Sequence, residues 1–163
     1  MAISLQPYKY LVSKPYSYSF TTDKGLEYFC YFTPYGAYFL EYPEIAPKIF
    51  SFDIQLKNTI IKPKGTDKRI AATVIDIVGK FLNSQINAVV YICDPSDGKA
   101  NARFKKFKSW FEYYTHDSAQ IVQISDYLVT DSGSLHAVLL VHKKNKLREQ
   151  FIKAFFNLTD GDK

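Results

Sequence analysis

Three short stretches of the chain carry side chains whose type and spacing suit chemistry. In the first, Asp94 and Asp97 stand three apart within Asp94-Pro95-Ser96-Asp97-Gly98. Two carboxylates so placed on a turn can hold a divalent cation, and Asp94 can serve as a general base. Asp-Pro also starts turns, and Asp97 can cap the helix that follows, which accounts for both without any reaction. The second stretch is Lys64-Gly65-Thr66-Asp67-Lys68-Arg69. Lys64, Lys68 and Arg69 can hold phosphate through their side chains, with Gly65 as the small residue beside them; they also read as the capped, charged first turn of a helix. The third sets Arg103, Lys105, Lys106 and Lys108 among Phe104, Phe107 and Trp110. Basic side chains interleaved with aromatics grip a nucleic-acid backbone and stack its bases. The same aromatics supply a helix's core stripe, from which Trp110 alone is displaced.

Other chemistry is excluded or unsupported. His136 and His142 lie six apart, about 20 Å along a strand at roughly 3.3 Å per residue, too far to share a metal. His116 stands by itself, and no metal is expected. No Gly-x-Ser-x-Gly elbow, Cys/His pairing signature or phosphate-cradling P-loop occurs, so hydrolase and nucleotidase readings are set aside.

The elements that must position these residues are legible from periodicity. After Asp67, the residues Ile70, Val74, Ile77, Val78, Phe81 and Leu82 recur at helical spacing. Ala88 to Cys93 is continuously apolar, as a strand covered on both faces requires. A second helix follows Gly98, with Phe104, Phe107, Phe111 and Tyr114 along one side. Upstream, Tyr16, Tyr18 and Phe20 alternate with serines, Asp23-Lys24-Gly25 turns the chain, and Leu26 to Phe32 returns as the second arm of a hairpin. Breakers between Thr33 and Pro47 forbid a long element there, although Tyr35, Tyr38, Phe39, Leu40 and Tyr42 keep that segment against the sheet. Strict alternation from Ile49 to Leu56 makes a third strand. Downstream, Ala119 to Val129 and Ser134 to His142 form a second hairpin around Asp131 and Gly133, and Asn145 to Leu158 is a closing amphipathic helix with Asn145 as its cap. The first ten residues carry no pattern.

The length of 163 residues suits one domain spanning residues 1–163. Thirteen Tyr and thirteen Phe suit strand faces first and a stacking platform second. A formal charge of +5 is modest, and its clusters at Lys99–Lys108 and Lys143–Lys153 fit solvated helix faces. Cys30 and Cys93 fall in apolar strands and read as small buried hydrophobes in a reducing compartment, with a disulfide left open. With no leader-like start and no run approaching roughly 18 apolar residues, a cytoplasmic protein without a membrane partner is expected.

From Tyr16 to His142 the order hairpin, strand, helix, strand, helix, hairpin resembles the core of the GNAT superfamily of acyl-coenzyme A dependent N-acyltransferases, without its first two helices. The resemblance implies an α/β (α+β) fold: a mixed, largely antiparallel twisted sheet with helices packed on it. It also implies acetyl-CoA or another acyl-CoA as cofactor, its pyrophosphate at Lys64, Gly65, Lys68 and Arg69, where a helix N-terminus favours phosphate. Asn101, with Tyr113 or Tyr114, would touch cofactor and leaving thiol, Asp94 would be the base, and an amine the acceptor. The phosphate turn of active members looks like Arg/Gln-x-x-Gly-x-Gly/Ala, and no register of residues 64–71 completes it. With Ile70 aligned to the family's aliphatic residue, Asp67 and Arg69 occupy small-residue positions, where a carboxylate repels pyrophosphate. The expectation is therefore a divergent acyltransferase with weak or lost activity. The alternative is a non-enzymatic nucleic-acid- or protein-binding module using Arg103, Lys105, Lys106, Lys108 and Trp110. Asp67-x-Arg69-Ile70, Tyr91-Ile92-Cys93-Asp94, Asp97-Gly98, Arg103, Phe107, Trp110 and Phe111 also resemble a family of small bacterial domains of unknown function, which implies a small bacterial cytoplasmic protein.

Overall fold

The computed structural model describes residues 5–57, 65, 67–93, 98, 100–114, 120–131 and 133–160. Its strands are β1 (Tyr10–Lys14), β2 (Ser17–Thr21), β3 (Glu27–Pro34), β4 (Ile49–Leu56), β5 (Ala88–Ile92), β6 (Ile121–Thr130) and β7 (Gly133–His142). The helices are α1 (Lys68–Leu82), α2 (Ala100–Tyr114) and α3 (Arg148–Thr159). The strands form one sheet in the order β1-β2-β3-β4-β5-β7-β6. β4 and β5 run parallel, and every other neighbouring pair is antiparallel. The mixed, largely antiparallel sheet is therefore present, and strand, helix, strand, helix and hairpin succeed one another as the GNAT resemblance implied.

Two apolar layers cover the sheet, and the strand alternation assigns residues to each. Phe50 and Phe52 of β4 and Val89 and Tyr91 of β5 face α1 and α2, packing with Val74, Ile77, Val78, Phe81 and Phe111. Ile49 of β4 and Ala88 and Val90 of β5 face the other way, toward Phe151, Ala154 and Phe155 of α3 and toward Phe39 and Ile45. This second contact explains the continuous apolarity of β5. Phe39 and Ile45 belong to the breaker-rich segment, which folds into two 3-10 turns, Gly36–Tyr38 and Ala46–Lys48. The turns approach so closely that a Cβ on Gly36 would lie 2.1 Å from the Ala46 carbonyl oxygen, which only glycine tolerates.

The structure adds one strand and moves one boundary. β1 was not expected, because it is an edge strand paired to β2 alone, with Leu11 and Val12 exposed. Without a buried face it carries no hydrophobic alternation to read. The closing helix starts at Arg148 rather than Asn145, and Asn145 is not its side-chain cap. Asn145 is buried instead; its Oδ1 accepts from the Leu147 N–H at 2.9 Å and its Nδ2 donates to the Asn87 carbonyl at 3.4 Å. The residue is spent on joining the β7–α3 turn to the turn before β5.

α1 is seated by Phe81, whose ring stacks on Phe32 at 3.9 Å and meets Phe50 edge-on at 5.2 Å. Phe81→Ala is expected to reduce unfolding free energy by about 3–5 kcal/mol in urea titration. A loss below about 1 kcal/mol would mean that this stack does not hold the helix.

Candidate functional site

Pairing between β4 and β5 covers only Ile49–Ala88, Phe50–Val89 and Ser51–Val90. Beyond those positions β4 continues to Leu56 alongside β3, and β5 continues to Ile92 alongside β7. The two strands part at the carboxyl end of β5, where open α/β sheets place ligands. Hydrogen-bond alternation fixes what faces the gap. Tyr35 N–H donates to the Ile49 carbonyl and Lys57 N–H to the Glu27 carbonyl, so odd-numbered residues of β4 turn their backbone groups to β3. Cys93 N–H donates to the His136 carbonyl, so odd-numbered residues of β5 turn theirs to β7. Backbone groups of Ile54 and Ile92 are consequently aimed across the gap, beyond the last parallel pair.

Side chains line the gap differently on its two faces. Toward α2 lie Phe52, Ile54, Tyr91 and Cys93; the Phe107 ring is 4.5 Å from Tyr91 and 5.9 Å from Phe52. The Tyr91 hydroxyl is buried and has no hydrogen-bond partner among the described residues. Burial raises its pKa, and the neighbouring Cys93 adds to the rise. Toward the opposite face stands Asp53, whose carboxyl desolvation holds above the ordinary Asp range. Its cross-strand neighbour is Tyr31, itself raised by desolvation and then by the Asp53 charge. An exposed carboxyl of raised pKa beside the end of the β4–β5 pairing can serve as a general base. The superfamily resemblance implies that a thioester would enter between the central strand and its neighbour; Asp53, which looked like the polar side of an alternating strand, was missed.

The amino-terminal mouth of α1 is occupied by the chain itself. Asp67 is the N-cap, its Oδ1 accepting from Arg69 N–H at 2.9 Å. Its Oδ2 accepts from the Tyr8 hydroxyl at 2.5 Å. The Arg69 guanidinium lies 3.9 Å from the Tyr8 ring centroid, donates through Nε to the Gln6 carbonyl at 2.9 Å and pairs with Asp23 at 3.2 Å. Tyr8 N–H donates to Thr73 Oγ1 at 2.8 Å, and that hydroxyl donates to the Arg69 carbonyl at 2.6 Å. Gln6 and Tyr8, from a stretch without sequence pattern, are thus strapped over the first turn of α1. A carboxylate already answers the helix's positive end there.

The expected site residues separate accordingly. Gly65, at φ +75°, and Lys68 are exposed beside the mouth, whereas Arg69 is engaged as above. Lys64, Asp94 and Asp97 lie outside the described residues, as do the side chains of Asn101, Arg103, Phe104, Tyr113 and Tyr114. Lys105 and Lys106 are exposed and Lys108 is half-buried on α2. Trp110 packs on the α1–α2 core, with Lys106 Nζ 5.4 Å from its ring centroid and Phe107 at 5.7 Å. Cys30 and Cys93 are buried, and neither is in a disulfide. Among the described residues no group of three or more His, Cys, Asp or Glu converges as a metal site, and no helix is long and apolar enough to cross a membrane.

A family of unknown function (DUF6169) has a sequence model that matches residues 66–157, more than half of the chain. The chain belongs to this family. The matched region begins at the mouth of α1 and includes β5, α2, the β6–β7 hairpin and most of α3. No curated protein matches the chain. Among solved structures, a CoA-dependent acyl-homoserine lactone synthase, MesI, is similar with 8% identity and a TM-score of 0.40, over 88% of this chain and 71% of that one. That likeness is loose, and nothing about ligand or reaction follows from it.

Two substitutions test the site as built. Asp67→Ala removes the cap and the Tyr8 acceptor together and should lower stability by about 1–2 kcal/mol, whereas Asp67→Asn, an equally good cap, should lose less; equal losses would show that charge, not capping, is what Asp67 contributes. For Asp53 the raised pKa sets the sign. The folded state holds the proton more tightly than the unfolded chain, so stability falls as pH rises from about 3.9 through the raised folded value. Asp53→Asn should therefore melt above wild type at pH 7 and level with it at pH 3; a constant difference would remove the desolvation account.

Proposed function

We propose that the protein is a divergent GNAT-like acyl-CoA-binding domain whose transferase activity is weak or lost. The observation that carries this reading is the end of β4–β5 pairing after three parallel pairs, at the ligand-favoured end of the sheet, where Phe52, Tyr91 and Phe107 would flank a slot between the strands. An acyl thioester arm fits such a slot: its amides match the outward-facing backbone of Ile54 and Ile92, and its methylenes match Phe52 and Phe107. An amine acceptor would approach from the Asp53 face, where a carboxyl of raised pKa accepts its proton, with Asp94 as a second candidate base. Asn101 is placed near the leaving thiol by the superfamily resemblance alone.

Electrostatics work against pyrophosphate at the α1 mouth. Pyrophosphate at the α1 mouth would meet the Asp67 carboxylate and find Arg69 already paired with Asp23, leaving Lys68 and Gly65, with Lys64, to hold it. Weak affinity follows. Buried cysteines outside any disulfide suit a reducing compartment such as the cytoplasm, and a bacterial source rests on the resemblance to small bacterial domains alone. The nucleic-acid or protein-binding alternative keeps exposed Lys105 and Lys106, with Arg103 and Lys108 beside them, but the Trp110 ring is already engaged by Lys106 and Phe107, so base stacking there has little support.

Calorimetric titration of acetyl-CoA separates the outcomes. Wild type should bind weakly, Lys68→Ala more weakly still, and Asp67→Asn roughly tenfold more tightly, about 1.4 kcal/mol of relieved repulsion. If neither wild type nor Asp67→Asn binds at millimolar acetyl-CoA, the acyl-CoA reading fails, and retention on nucleic acid lost by Lys105→Glu/Lys106→Glu would favour the alternative.

A further inference from the structure

A buried hydroxyl with nothing to bond is unusual in a folded core; among the described residues the Tyr91 hydroxyl shares that state with Gln123 Oε1 on β6. Tyr8, Tyr10 and Thr73, which pack on the same α1 side of the sheet, donate to Asp67, Asp76 and the Arg69 carbonyl respectively. Tyr91 does not: only 7% of the residue is exposed, and its hydroxyl has no partner among the described residues. Phenylalanine would fill the same volume against Phe107 and Phe52 without stranding a donor. The anomaly sits beside the gap. Tyr91 is the first β5 residue past the last parallel pair, Ser51–Val90, while on its other side it is held in register by Val138. The ring is therefore fixed by β7 and Phe107 on the α2 face of the sheet, at the level of β5 where pairing with β4 has ended.

We propose that the Tyr91 hydroxyl is a ligand-binding donor, placed to hydrogen-bond the carbonyl oxygen of an acyl group that enters between β4 and β5. The inference rests on the acyl-CoA reading and deepens it by assigning recognition of the acyl end to a residue that neither the superfamily resemblance nor the family match designates. Carbonyl oxygen is the fitting partner. Tyr91 offers one O–H, its surroundings are aromatic and carry no fixed positive charge among the described residues, and an anion would be poorly solvated there. Burial that pushes the phenol pKa up keeps the proton on the oxygen, so the group stays a donor across the physiological range.

The test compares acetyl-CoA with coenzyme A, which lacks the acyl carbonyl, in wild type and Tyr91→Phe, by calorimetry and thermal melting. Wild type should prefer acetyl-CoA by about tenfold, the size of one buried hydrogen bond. Tyr91→Phe should lose that preference, keep its affinity for coenzyme A and melt at or above wild type. A preserved preference in Tyr91→Phe overturns the inference while leaving the acyl-CoA reading intact. So does a variant that melts several degrees below wild type, since the hydroxyl would then already have a partner in the free protein. If wild type binds neither compound, the acyl-CoA reading and the inference fall together, a result distinguished from the other two by the wild-type titration alone.

Discussion

The whole arrangement depends on a parallel strand pair that is held by very few backbone bonds. β4 and β5 are joined through α1, and a helical crossover of this kind forces them to run the same way. Each strand is tied more firmly on its outer side: β4 is registered with β3 from Phe50 to Leu56, and β5 with β7 along its whole length. Sheet twist then has somewhere to act. When two antiparallel blocks meet at one parallel seam, the seam is the place where accumulated twist separates the strands with least loss, because the outer ladders stay intact. α1 and Phe81 close one face of the paired part, and the 3-10 turns with α3 close the other.

A second constraint is that a helix has one positive end and can satisfy it once. In this protein Asp67 does so, and the commitment spreads outward. Tyr8 shares the carboxylate, Arg69 lies over Tyr8 and reaches Asp23, and Thr73 receives the Tyr8 amide. The strap brings β1 and the turn after β2 against α1 and helps cover an edge of the sheet that would otherwise offer unpaired backbone. Stability at the mouth of α1 and anion binding at the same mouth draw on the same donors. The balance here has gone to stability.

Those two constraints were unequally legible. The α1 stripe, the β4 alternation and the continuous apolarity of β5 are repeated local signals, and all three elements lie where their spacing placed them. β1 has no buried stripe, so nothing local marked it. Asn145 looked like a cap because caps are chosen by residue type, yet its side chain bonds the Asn87 carbonyl, a partner distant in sequence. Asp67 was readable as a repelling carboxylate at a phosphate turn, though its link to Tyr8 was not. The extent of the gap could not be read, since where a ladder ends depends on twist and on the strands outside it. Asp53 and Tyr91 became noticeable only with the gap: in sequence one is the polar half of an alternation, the other one more aromatic in an aromatic-rich chain.

The two ends of the slot therefore point in opposite directions. At the α1 mouth, charge that would hold a pyrophosphate is already consumed within the chain. Between the strands, by contrast, backbone groups of Ile54 and Ile92 face the gap beyond the last parallel pair, and the hydroxyl of Tyr91 has no partner among the described residues. Polar groups left unsatisfied in a core are destabilising unless something else uses them, whereas a capped helix stabilises the fold whether or not a ligand arrives. If recognition has moved along the slot, from phosphate toward the acyl group, binding should depend little on ionic strength and strongly on the acyl chain, the reverse of a site built around pyrophosphate. That shift would let the scaffold lose a phosphate turn without losing its reason to stay open.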